Sequence, residues 1–291
     1  MKPLRNHLLF VVSALLLVAC SSHGEPESTR VSVMTWNVEN LFDTEHDPGK
    51  EDFAYLPLSV KHAHPEYLAN CATIEVAAWR RECAENDWTP ALLDEKLKRL
   101  SAVIQQIDKG RGPDILLLEE VENSQVIEQL NARLDKSAYQ TRVLLEGWDA
   151  RGIDTAVLSR LAQWDTPRLH AVPYKALGND DPARVSNTRG ILEVRLLLPG
   201  GQKAAIFALH LPSGGAPGYL RQQAVSYLAQ LKRELPADVL PIVGGDFNIN
   251  AGEEQRHGYI ANDLASTWAV SQLIGCGGCK GSYFFHAKRE W

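Results

Sequence analysis

Asp246 and Asn248 form the pair in this chain best suited to chemistry. They close the run Leu240-Pro241-Ile242-Val243-Gly244-Gly245-Asp246-Phe247-Asn248, in which an apolar stretch breaks into paired glycines and then presents a carboxylate and a carboxamide two residues apart. Residues two apart on a strand share a face, so the spacing predicts Asp246 and Asn248 on one side and Phe247 in the core. A carboxylate can hold a hard cation or orient a water, and an amide can donate to a phosphate oxygen without adding charge. Gly244 and Gly245 allow the backbone to bend, or a ligand to approach closely. The same tetrad fits a turn closed by Asx hydrogen bonds, so the choice rests on what the rest of the chain brings to it.

Several other strand-like runs end in the same manner. Ile115 to Leu118 closes on Glu119-Glu120, Ala204 to Leu209 closes on His210, and the alternating segment from Arg30 to Val38 places Asn37 at its end. Gly152 to Ser159 is a further strand with Asp154 near its start. A single histidine on an apolar strand is ordinarily a core residue with its hydrogen bonds satisfied, and two acids after a strand are ordinarily surface residues. Repetition of polar strand ends is what favours a shared site.

The elements that must position these residues alternate in type. Thr89-Pro90, followed by Leu92, Leu93, Leu97, Leu100, Val103, Ile104 and Ile107, predicts a capped amphipathic helix. Asn123 to Leu134 and Tyr219 to Leu235 read as further helices, and Tyr139 to Glu146 as an exposed strand. Arg189 to Leu197 and Ala204 to Leu211 form a hairpin across Pro199-Gly200-Gly201. Asp43 to about Thr89 lacks sustained periodicity and is expected to be a long loop with one short helix near 72–81. Its His46, His62 and His64 are read as solvated. The pattern implies an α+β chain in the mixed α/β sense.

At the N-terminus, Lys2 and Arg5 precede an apolar segment from Leu8 to Ala19, which reads as a secretory signal over 1–19. Leu17-Val18-Ala19-Cys20 resembles a bacterial lipobox, so Cys20 is the expected lipidation site. Ser21 after it implies an outer-membrane lipoprotein, periplasmic or cell-surface, anchored to the membrane through that lipid. Residues 20–30 form the tether, and 31–291 the folded domain. Loss of Lys2 and Arg5 moves the formal charge from -6 to -8, which argues against a broad basic face for coating nucleic acid. The other four cysteines form two local pairs, Cys71 with Cys83 and Cys276 with Cys279, expected to be disulfides in an exported protein.

Five ordered motifs make the resemblance specific: Thr35-Trp36-Asn37-Val38-Glu39-Asn40, Leu118-Glu119-Glu120-Val121, Gly152-Ile153-Asp154-Thr155, Leu209-His210-Leu211 and Gly244-Gly245-Asp246-Phe247-Asn248. The series resembles that of the endonuclease/exonuclease/phosphatase superfamily, the deoxyribonuclease-I-like fold. The resemblance implies a four-layer α/β/β/α sandwich of two mixed sheets with the site at the strand ends. It makes Glu120 the principal ligand of Mg²⁺ or Mn²⁺, with Asn37 supporting the metal and a phosphate oxygen. His210 would bond the phosphate or protonate the leaving oxygen, oriented by Asp154. Asp246 would position the attacking water, and Asn248 would donate to the developing charge. Arg189 matches a phosphate-contacting arginine, although an ordinary ion pair explains it as well. Family members usually carry Gln where this chain has Glu119, whose role stays open.

The family's terminal motifs, an Asp-Arg-Ile-like strand and a final Ser-Asp-His, are not in this sequence after Lys280. The domain is therefore expected to be incomplete at its C-terminus, with reduced activity. The resulting expectation is a metal-dependent phosphodiesterase, first a nuclease acting as a monomer on nucleic acid. A phosphatase or phospholipid or inositol-type phosphodiesterase is the enzymatic alternative, and a non-catalytic lipoprotein that binds a phosphorylated ligand is the other.

Overall fold

The computed structural model describes residues 30–134, 138–182, 185 and 189–275. Lipidation at Cys20, the Cys276–Cys279 pair and the segment after Lys280 lie outside them. Among the described residues, eight strands form two four-stranded sheets. The first has the order β1 (Val33–Leu41), β2 (Ile115–Val121), β4 (Asp154–Ser159), β3 (Thr141–Leu144). The second runs β5 (Arg168–His170), β6 (Ile191–Leu197), β7 (Lys203–His210), β8 (Val239–Asp246). Each sheet is mixed: β1 with β2 and β7 with β8 are parallel, and the remaining pairs are antiparallel.

A parallel pair needs a crossover, and helices supply it in both sheets. α4 (Pro90–Ile104) lies between β1 and β2 in sequence, and α6 (Gly218–Glu234) lies between β7 and β8. The α4 boundary follows the expected chemistry: Thr89 Oγ1 accepts from Leu92 N, and Pro90 occupies the first turn. α5 (Ser124–Ala132) starts similarly at Asn123, whose Oδ1 accepts from Val126 N at 3.0 Å.

Three apolar clusters divide the molecule into layers. Leu97, Ile104 and Leu130 pack on Leu116 and Leu118 of the first sheet. Ile115, Leu117 and Val157 meet Leu192, Val194 and Ile206 between the sheets. Phe207 and Leu209 pack on Ala224 and Leu228 of α6. The four-layer α/β/β/α arrangement expected from the motifs is therefore present. Odd and even residues of β2 face different clusters, which is why that strand reads as a continuous apolar run.

The stretch from 43 to 89 differs from its sequence reading. It contains α1 (Leu58–Ala63), α2 (Pro65–Ala72) and α3 (Ala77–Glu85), and the single helix expected near 72–81 straddles the break between the last two. Helices of six to nine residues offer too few turns to reveal a period. They are held instead by a small core of Phe53, Leu56, Cys71 and Cys83, by the Cys71–Cys83 disulfide, and by the fully buried Lys61. Lys61 Nζ donates to the carbonyls of Cys83 and Asn86 at 2.7 Å each. His46 bonds Asp52 within this segment and is half-buried, so it is less solvated than expected. No helix among the described residues is long and apolar enough to cross a membrane.

Candidate active site

β1 runs on past Asn37 to Leu41, where it was expected to end at Asn37. Asn37 in the middle of β1, the C-terminal ends of β2, β7 and β8, the start of β4 and Arg189 two residues before β6 lie at one end of the stacked sheets. Antiparallel pairing explains the last two: Val121 is opposite Asp154, and Ile191 is opposite Leu209. Asn37, Glu120, Asp154, Arg189, His210 and Asp246 are thereby brought to the same edge from six separate segments.

A bulge determines how Glu120 enters the site. Register passes from Asn37 opposite Glu119 to Leu41 opposite Val121, and Glu120 is the extra residue of β2 against β4. Glu120 has φ 63°, and Glu39 and Asn40 across the bulge have φ 54° and 63°. Bulges bend the strand and re-aim side chains. Here the result is that adjacent acids have separate environments: Glu119 is 1% exposed, while Glu120 reaches the site. Thr35 Oγ1 donates to Glu119 Oε1 at 2.9 Å, and burial pushes the Glu119 carboxyl up to about 8. It is thus mainly protonated near neutral pH, like the neutral amide that the family usually has there. Thr35 was not singled out from the sequence. Its spacing of two from Asn37 is the signal that it shares the same face.

Asn37 is the centre of the cluster. Its Nδ2 donates to Glu120 Oε1 and Asp246 Oδ2, both at 3.1 Å, and its Oδ1 accepts from Glu39 N at 2.9 Å. His210 Nε2 stands 3.9 Å from Glu120 Oε1 and 3.8 Å from Asp246 Oδ2. Burial, reinforced by Arg189 and Arg151, holds the His210 imidazole well below the usual histidine range. The ring is therefore neutral at physiological pH and does not balance the two carboxylates.

Asp154 and His210 occupy the expected end of the molecule, but no hydrogen bond joins them. Asp154 Oδ1 accepts from Gly147 N at 2.8 Å, while Asp154 Oδ2 and His210 Nδ1 are both buried without a partner. Arg189 is 3.1 Å from Asp149 in an ion pair that is largely buried, so it is no surface bridge. Its Nη1 also donates to His210 O at 3.5 Å. Asp149 is a partner that the sequence reading missed, since nothing in its spacing marks it.

The glycines of the Gly-Asp-x-Asn motif serve packing. A Cβ on Gly244 would come within 2.6 Å of Leu117 Cδ1 in the opposite sheet, and one on Gly245 within 1.9 Å of Leu209 O on β7. Beyond them, Asn248 N donates to Asp246 Oδ1 at 2.8 Å, and Asn248 Nδ2 donates to Leu211 O at 3.0 Å. Asx bonding and a site are therefore both realised: the turn is how the motif holds its shape. Phe247 turns to the α6 side and packs there.

The cluster suits a hard divalent ion in its donor chemistry. Two carboxylates share one amide, with a neutral imidazole as their nearest basic neighbour, and oxygen donors of this kind match Mg²⁺ or Mn²⁺. Among the described residues no group of three His, Cys, Asp or Glu side chains is arranged to hold a metal.

Comparison with known proteins adds a family match. The sequence pattern described as the Endonuclease/Exonuclease/phosphatase family matches residues 79–233. No curated protein matches the chain. Among solved structures, it is similar to D. rerio TDP2 humanized by 14 mutations, at 16% identity and a TM-score of 0.45, over 79% of this chain and 72% of that one. A hairpin-deletion mutant of beta toxin from Staphylococcus aureus gives 14% identity and a TM-score of 0.47, over 81% and 73%. Sphingomyelinase C from Streptomyces griseocarneus gives 19% and 0.40, over 58% and 62%.

Proposed function

Because the chain belongs to the endonuclease/exonuclease/phosphatase family, whose members hydrolyse phosphoester bonds, we propose that it is a divalent-metal-dependent phosphodiesterase with nucleic acid as its first substrate class. One observation carries this reading: Asn37, Glu120, His210 and Asp246 converge from both sheets on one cluster of oxygen donors beside a neutral imidazole.

Glu120 and Asp246, with Asn37 between them, would hold the ion. When bound, Mg²⁺ or Mn²⁺ offsets their negative charge and polarises a phosphoryl oxygen, without which an anionic diester would be repelled. Asp246 takes up the proton of the attacking water, its Oδ1 held by Asn248 N. Two acceptors face His210 Nε2, so the ring hydrogen belongs there and can be donated as a hydrogen bond to a phosphate oxygen or the leaving oxygen; the neutral ring has no acid proton to transfer, so the protonating role expected from the motif falls away. Asn248 has one amide hydrogen left after bonding Leu211 O, and directs it at charge developing on phosphorus. Arg189 holds the His210 backbone and reaches substrate only by exchanging Asp149 for phosphate.

The test assays plasmid DNA, bis-p-nitrophenyl phosphate and sphingomyelin vesicles with Mg²⁺ or Mn²⁺, in the parent and in Asp246→Ala. Cleavage that needs metal and falls by about 10² to 10⁴ in the variant is expected. Cleavage of vesicles alone would move the substrate to phospholipid, and binding of phosphate esters without turnover would leave a non-catalytic ligand-binding lipoprotein.

A further inference from the structure

Arg221 of α6 is 3% exposed and divides its donors between one loop and one helix. Nε and Nη2 form a fork on Glu253 at 2.9 and 2.7 Å. Nη1 donates to the carbonyls of Pro212 and Ser213 at 2.8 Å each, and Nη2 reaches Ala216 O at 3.3 Å. Every carbonyl it binds lies in the loop that leaves β7 immediately after His210. Its acid partner lies on α7 (Ala251–His257), the helix that follows Asp246 and Asn248.

Glu253 is fixed with equal strictness. It is 4% exposed, its backbone N donates to the α7 cap Asn250 Oδ1 at 2.8 Å, and a Cβ on Gly218 at the start of α6 would come within 2.4 Å of its Oε1. The two loops are also tied directly, since Leu211 N donates to Asp246 O at 2.8 Å and Leu211 O accepts from Asn248. A planar guanidinium in a bidentate pair sets direction as well as distance, which an ammonium cannot do.

We propose that Arg221 and Glu253 are a positioning pair that fixes the loop after His210 against the loop after Asp246, and so sets where His210 and Asn248 stand. The catalytic part of this rests on the phosphodiesterase reading, whereas the mechanical part does not. Neither residue touches the reacting groups.

The experiment compares the parent with Glu253→Gln, which keeps the shape, and with Arg221→Lys, which keeps the charge but loses the fork. Amide hydrogen exchange is followed at Leu211 and Asn248, with the β2 amides as the internal reference. The pair predicts exchange at least about tenfold faster at the two loop amides with β2 unchanged, and on bis-p-nitrophenyl phosphate a fall in kcat of about 10- to 100-fold with KM little altered. Parent-like exchange at Leu211 and Asn248 in either folded variant overturns the proposal. So does uniform acceleration through β2, which is a loss of stability and not of position. If the parent cleaves no diester, the functional reading fails, and the exchange results still decide the pair.

Discussion

Asn37 ties the two carboxylates of the site together, and the consequence for a bound ion can be measured. Glu120→Gln removes one of two negative oxygen donors while keeping the hydrogen bond from Asn37 available. Mg²⁺ or Mn²⁺ affinity by calorimetry is expected to fall at least about tenfold, as loss of charge on a hard-cation ligand requires. Equal affinity in parent and variant would move the ion elsewhere. Asp246 and Asn248 were legible as a pair through Asx chemistry, which is local; the strand alternation expected to align them does not reach Asn248, because β8 ends at Asp246 and Asn248 has φ 51°. The separation of Glu119 from Glu120 was not legible, since it depends on a bulge with positive φ that no local residue preference demands.

β7 and β8 run so close at the site that Gly245 has no room for a side chain. With φ 139° and a Cβ position 1.9 Å from Leu209 O, Gly245→Ala must displace β8 from β7. A loss of about 2 kcal/mol or more in chemical denaturation is expected, together with loss of activity. A different element, the disulfide-tied insertion, contains its own pH response. Burial lowers the Lys61 ammonium from 10.5 to about 8. Below that value it is charged folded and unfolded, and the cost of burying the charge is fully present. As pH rises through about 8 the folded chain releases its proton first, the unfolded chain binds more protons, and stability rises. The melting temperature of the parent is therefore expected to gain on that of Lys61→Met between about pH 8 and pH 10. A constant difference over that window would show that Lys61 is not depressed. The insertion escaped sequence reading because its helices are short and its core is non-local, joining Phe53 to Cys83.

For the whole molecule, placement in the cell is a question separate from the fold. A lipid on Cys20 predicts that labelled palmitate is incorporated by the parent and lost in Cys20→Ser, with the unlipidated form released from membranes. Incorporation that persists in the variant would exclude that anchor. The sequence by itself determined the helices α4, α5 and α6, the cap at Thr89, the buried β2, the hairpin at 199–201 and the polar ends of β2, β7 and β8, because each follows from local preference and periodicity. The ordered motifs extended this to the sandwich, and marked Asn37, Glu120, Asp154, His210 and Asp246 as the site proposed above. Only the tertiary structure decided that Glu119 is a buried acid on Thr35, that Arg189 is paired with Asp149, that Asp154 bonds Gly147 and not His210, and that Arg221 joins the loop after His210 to Glu253 of α7. These contacts join residues whose partners are selected by how two sheets and a crossover helix stack, and stacking leaves no period in the chain.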